Sequence, residues 1–196
     1  MIYYLPKGYL SWSQMSLWEE SPQKYIDYYI DGKERFETKE MRAGKMFSVA
    51  AQQKESDDPK FNKILRRLPR REFSESELLV DFEGIPLYMI FDSADRLGFE
   101  EYKTGKTPWT HHRAYNHGQM MFYSLGFYLE VKALPEAHLH WLPMVEKDSK
   151  LFLTGQIKTF NIRYSQVRLL KFGKRIHTIA EQITNYEQYR KKVVRI

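Results

Sequence analysis

Pro86–Lys106 reads PLYMIFDSADRLGFEEYKTGK. Two short strand-like runs flank a tight connection, a pattern that predicts a hairpin. Asp92 closes the first run. Glu101 and Lys103 lie two apart on the second, so they share one face, and Tyr102 projects to the other. With the runs paired, Asp92 lies beside Glu101, and two carboxylates and an amine converge. Paired hard oxygen ligands suit Mg²⁺ or Mn²⁺. A bound divalent ion can activate water and steady a phosphoryl transition state, and an adjacent amine can orient the water or offset negative charge. Spacing alone equally fits a surface salt bridge on an exposed hairpin.

Upstream, Glu77–Glu83 reads as a strand and Glu83-Gly84 as the turn into Leu87–Asp92. Before it, FNKILRRLPRR and the preceding Lys60 form a dense basic segment: Lys60, Lys63, Arg66, Arg67, Arg70 and Arg71. Its two readings are a solvated face and a phosphate-contacting patch near the site. A helix is expected over Glu37–Gln53. Ser11 or Ser13 is expected to cap a helix through Glu19 or Glu20, and Ser21-Pro22 to stop it or to open another with Pro22 in its first turn.

Downstream, His111 and His112 read as surface histidines, with His117 just after. Gln119 and Tyr123 are four apart and share a helix face. His138–Leu142 alternates as a half-buried strand does. Lys147-Asp148-Ser149 turns the chain into a second extended piece, Leu151–Ile162. From Tyr164-Ser165 a helix is expected to about Val193. Val167, Leu170, Ile176, Ile179 and Ile183 would form its apolar side, and Lys171, Lys174, Arg175, Arg190, Lys191 and Lys192 its basic side.

The 196 residues suit one domain, 1–196, and a hydrophobic content of 42% suits a packed core. The formal charge of +6 favours an anionic partner. With no cysteine there is no disulfide framework and no cysteine-ligated zinc or iron–sulfur cluster. No signal peptide is evident, and no run reaches the roughly 18 apolar residues of a membrane span. A cytoplasmic protein with no membrane partner is the expectation.

Phe91-Asp92-Ser93-Ala94-Asp95-Arg96 followed by Glu101-Tyr102-Lys103-Thr104-Gly105-Lys106 resembles the RecB-type nuclease domain of the PD-(D/E)XK superfamily. Gln119 and Tyr123 match that family's Gln-x-x-x-Tyr helix. Leu10-Ser11-Trp12-Ser13, Ser21-Pro22 and Gly44-Lys45-Met46-Phe47 resemble its opening segments. Ser48 and Gln52 stand where the family often carries a histidine and a glutamate, and Ser21 where it carries a cysteine. That leaves the number of ions open.

The resemblance implies an α/β fold of the restriction-endonuclease-like kind, with a short central mixed sheet flanked by helices on both faces. It implies a Mg²⁺- or Mn²⁺-dependent deoxyribonuclease, more often an exonuclease, of repair, recombination or phage replication. Asp92, Glu101 and the Tyr102 carbonyl would hold the ion. Asp92, Glu101 and Lys103 would carry the chemistry on single- or double-stranded DNA, and Gln119 and Tyr123 would help place the strand. The alternative is an inactive DNA-binding module, and a third reading is a subunit docking to a helicase or recombinase. Polarity, strand preference, DNA versus RNA and oligomeric state are not set by the sequence.

Overall fold

The computed structural model of the chain describes residues 2–193, with the side chains of Lys60, Tyr189 and 191–193 left aside. Lys60, Lys191 and Lys192, counted above as basic side chains, therefore lie outside the described ones. Seven strands form one mixed sheet: β1 Leu10–Ser11, β2 Phe73–Phe82, β3 Ile85–Ala94, β4 Gly98–Gly105, β5 Glu136–Lys147, β6 Lys150–Leu153 and β7 Lys158–Ile162. The helices are α1 Trp12–Glu20, α2 Pro22–Tyr25, α3 Lys39–Gln53, α4 Pro59–Leu65, α5 His111–Tyr115, α6 Gly118–Val131 and α7 Gln166–Val193, with a π-helical turn, Ile26–Ile30, after α2.

The helix starts follow their capping residues. The Ser11 hydroxyl accepts from the Gln14 amide, Ser21 from Lys24, and Thr38 from Met41. Pro22 occupies the first turn of α2, where its missing N–H costs nothing. Glu83 and Gly84, with φ of 53° and 85°, turn β2 into β3. β4 and β5 run parallel, so the chain must cross over between them, and α5 and α6 make that crossover.

Alternation along the strands sorts residues to two layers. Phe91, Phe99 and Leu139 face α6 and the main core, which extends to Ile176, Ile179 and Ile183 of α7. Tyr102 and Leu142 face the opposite layer, a smaller cluster with Phe47 of α3 and Leu65 of α4. Helices thus cover both faces of the sheet, as expected. Gly126 lies against Met89, where an added Cβ would come within 2.1 Å of the methionine methyl. Gly98 lies against the Glu136 backbone, where an added Cβ would come within 1.9 Å of its carbonyl oxygen.

Two expectations need correction. The piece Leu151–Ile162 is not one strand. It breaks at Gly155, φ 84°, into β6, which pairs with Met144–Lys147, and β7, which pairs with Ala137–Trp141. The buried stripe of α7 is Leu169, Phe172, Ile176, Ile179, Ala180 and Ile183, whereas Val167 and Leu170 are 62% and 44% exposed. Ile176, Ile179 and Ile183 lie on the stripe as expected; counting back from Ile176 by four and three places gives Phe172 and Leu169, out of phase with Val167 and Leu170. Among the described residues no helix is long and apolar enough to cross a membrane.

Candidate active site

The sheet opens beside β3. Along one edge β2 pairs with nearly the whole strand. Along the other edge β1 pairs at Leu87 and Tyr88, and β4 pairs only at Ser93 and Ala94. Residues 89–92 are left facing a gap. Asp92 stands at its corner, and its Oδ2 accepts the Tyr102 amide at 2.6 Å. The carboxylate thus takes the place of the ladder carbonyl that β3 no longer supplies. The β2–β3 register also skips Glu75 and Asp92, where Glu75 has a φ of 49°.

Glu101 and Lys103 project toward α6, as their two-residue spacing requires. The Lys103 ammonium donates to Glu101 Oε1 at 2.5 Å and to Gln119 Oε1 at 2.7 Å. Gln119 Nε2 donates to the same Glu101 oxygen at 2.8 Å. The triangle fixes the amide of Gln119, because only its oxygen can accept from an ammonium. Tyr123, one turn on, is buried with its ring edge-on to Phe91 and Phe99. The Glu101 side chain is 5% exposed and that of Lys103 26%, so the pocket is enclosed but reachable.

The electrostatics follow from two carboxylates sharing a poorly solvated site. Burial, and then the charge of Glu101, push Asp92 up to about 8, against the pull of Lys103. Burial works against the Lys103 charge, but Glu101 and Asp92 outweigh it and hold the ammonium above its ordinary value. With Asp92 holding its proton, Glu101 and Lys103 balance; ionising both carboxylates leaves the pocket one positive charge short, and a divalent cation would favour that ionised form. These oxygen donors therefore fit a hard ion.

A cleft of about 330 Å³ adjoins the pocket, lined by Lys7, Tyr9, Trp12, Tyr29, Tyr88, Gln119 and Tyr123 among others. The Tyr9 and Tyr88 rings lie 4.7 Å apart, and Arg35 sits 4.6 Å from the Tyr29 ring centre. Ser11 and Ser13 lie in the same wall. A larger groove of about 760 Å³ runs along α3 past Arg42 and Lys45 and contains none of the pocket residues.

The structure brings together Asp92, Glu101, Lys103, Gln119 and Tyr123. Tyr102 contributes its backbone here, while its phenol donates to the Pro69 carbonyl at 2.5 Å on the other face. Ser48 and Gln52 are half-buried on α3. The basic segment divides: Lys63, Arg66 and Arg67 are exposed, while Arg70 and Arg71 turn inward. Arg67 donates to the Gly155 carbonyl, Arg70 to the Ala51 carbonyl, and Arg71, its side chain 8% exposed, to Glu100 and Asp95. His111 and His112 are exposed.

Two histidine groupings were not singled out from the sequence. His117 lies between Trp12 and Trp109, with ring centres 5.9 and 5.0 Å away. Burial, then Lys103 and Arg113, lower it to about 3, so it is neutral. His138 and His140 meet Glu100 on the sheet face opposite Glu101. The available signal was two histidines at alternate positions of one expected strand, which share a face.

No family model matches the chain, and no curated protein matches its sequence. Solved structures share its fold. A candidate exonuclease from Eubacterium rectale is 12% identical, with a TM-score of 0.56 over 92% of this chain and 83% of that one. The alkaline exonuclease LHK-Exo from Laribacter hongkongensis is 12% identical, with a TM-score of 0.51 over 95% and 93%. LHK-Exo in complex with dAMP gives 11% and 0.52 over 96% and 94%. The fold is the restriction-endonuclease-like arrangement.

Proposed function

We propose that the chain is a metal-dependent nuclease that hydrolyses DNA phosphodiester bonds and works from ends as an exonuclease. The observation that carries this reading is the Lys103–Glu101–Gln119 hydrogen-bond triangle beside Asp92, at the corner of an open sheet edge. Asp92, Glu101 and the Tyr102 carbonyl would hold Mg²⁺ or Mn²⁺. Such an ion, when bound, supplies Lewis acidity and lowers the pKa of its water. Lys103 keeps its ammonium charged where it can orient a water and offset charge growing on phosphoryl oxygens. Gln119 holds Glu101 and Lys103 in one geometry before substrate arrives.

The adjoining cleft, with Lys7 and five aromatic side chains, suits a nucleic-acid strand through phosphate attraction and base stacking. That two of the neighbours above are described as exonucleases, and that one holds dAMP, supports end-directed chemistry here. The RecB-type motif order points the same way, toward repair, recombination or phage replication. The rival reading, a DNA-binding module without cleavage, draws on Ser48 and Gln52.

End-labelled single- and double-stranded DNA and closed circles, incubated in Mg²⁺ and in Mn²⁺ beside Lys103→Ala, separate the two. The expected result is digestion of linear DNA only, abolished by the substitution and by chelator. Salt-sensitive binding without cleavage in either ion would favour the binding module. Cutting of circles would exclude an obligate exonuclease.

A further inference from the structure

β4 carries different chemistry on its two faces. Glu101 belongs to the pocket beside α6, and Glu100 to the layer of α3 and α4. In the parallel pairing of β4 with β5, Glu100 lies opposite His138, and Tyr102 opposite His140. Residues two apart share a face, so Glu100, His138 and His140 gather on the far side. His140 Nε2 lies 2.5 Å from Glu100 Oε2. His138 Nδ1 lies 3.1 Å from both Glu100 oxygens. One ligand atom from each residue falls within 4.8 Å of the others, and this is the one such group of three found among the described residues.

We infer that Glu100, His138 and His140 form a second cation site, for a divalent transition metal of the zinc class, on the sheet face opposite Asp92 and Glu101. Imidazole nitrogens favour zinc-class ions over Mg²⁺, and two histidines with one carboxylate is an established ligand set with room for water or a further ligand. The supporting groups that such a site needs are in place. Thr159, opposite His140 on β7, puts its hydroxyl 2.9 Å from His140 Nδ1. In the metal-free protein Nε2–H donates to Glu100 and Nδ1 accepts from the Thr159 hydroxyl; an ion takes the place of that Nε2 proton, and Thr159 keeps the ring oriented. Arg71 Nε donates to Glu100 Oε1 at 2.7 Å, which orients the carboxylate and leaves Oε2 for the ion.

Charge favours a cation here. Arg71 is the guanidinium shared by Asp95, Glu100 and Glu136, and Arg163 reaches only Glu136, at 4.0 Å, so three carboxylates face two guanidiniums and two imidazoles. Access runs past His138, whose side chain is 28% exposed. A cleft of about 280 Å³ lined by His138, Asn161 and Arg163 opens beside it. Entry requires the His140–Glu100 contact to widen, since ligands about 2.0–2.1 Å from a tetrahedral ion sit about 3.3 Å from one another. Once bound, the ion ties β4, which carries Glu101 and Lys103 on its other face, to β5.

The test uses the full chain carrying Asp92→Asn, so that the acidic pocket does not contribute. After chelator treatment and exchange into metal-free buffer, it is titrated with Zn²⁺ by calorimetry and with Co²⁺ by visible absorption. One Zn²⁺ per chain and visible cobalt bands are expected. Adding His138→Ala, at a half-exposed position that should leave folding intact, should weaken Zn²⁺ binding at least about a hundredfold and remove the bands, since outer partners alone cost 10–100-fold. Adding Thr159→Val instead should weaken it by about 10–100-fold. Absence of Zn²⁺ binding in Asp92→Asn, or affinity unchanged by both added substitutions, overturns the inference. Because Asp92 is already removed, neither outcome depends on the nuclease reading.

Discussion

Asp92→Asn should make the protein more stable, and increasingly so as pH rises. Asp92 is half-buried and lies with Glu101 in one pocket. Its folded-state pKa stands at about 8 against an ordinary 3.8, through burial first and Glu101 second. A raised acid binds its proton more tightly in the folded state. Its contribution is therefore fully present below about pH 4 and is lost as pH climbs through about 8. At about 1.36 kcal/mol per pH unit, the full shift corresponds to about 5–6 kcal/mol. With Glu101 sharing the proton and solvent reaching the carboxyl, about 2–3 kcal/mol should appear in a measurement. Asparagine keeps an oxygen for the Tyr102 amide, so the hydrogen bond at 2.6 Å survives. Urea unfolding of both proteins at pH 4, 6 and 8.5, without divalent ions, reads the difference. The gap should be small at pH 4 and widen steadily to pH 8.5. A gap that stays flat, or that narrows with pH, would refute a proton held on Asp92 by its neighbours.

Arg71→Ala should destabilise by about 3–5 kcal/mol, because it strips the partner from buried Glu100 and from Asp95; chemical unfolding at pH 7 measures it. The Glu100 carboxyl is lowered to about 2, since His138 and His140 outweigh its burial. Its contribution is present above about pH 4.5 and lost toward pH 2, so Glu100→Gln should lose less stability relative to wild type as melts move from pH 7 to pH 2.5. Gly98→Ala should prevent soluble folding, because the added methyl meets backbone that cannot step aside. Gly126→Ala should cost only about 1–3 kcal/mol, because it meets the end of a pliable methionine. Soluble yield and thermal melts distinguish the pair.

The pocket was legible because its grammar is local. Glu101 and Lys103 are two apart on one strand, so alternation puts them on one face, and the hairpin with β3 brings Asp92 alongside. Gln119 and Tyr123 added a helix face by the same kind of periodicity. What the sequence concealed depends on pairing between distant strands. Nothing local says that β4 lies parallel to β5, and without that register Glu100 has no reason to meet His138 and His140. The inward turn of Arg70 and Arg71 was hidden for the same reason, since their carbonyl and carboxylate partners come from α3 and β4. In α7, apolar residues were too numerous to fix the phase, and Val167 and Leu170 were drawn into a stripe that packing assigns to Leu169 and Phe172.

The most direct measurement is the initial rate of mononucleotide release from linear duplex DNA in saturating Mn²⁺, for wild type and for Asp92→Asn confirmed by melting to be folded. A pocket that grips a hard ion predicts a rate lower by at least about a hundredfold in the variant, despite its greater stability. Equal rates in the two proteins would place the chemistry elsewhere and contradict the assignment.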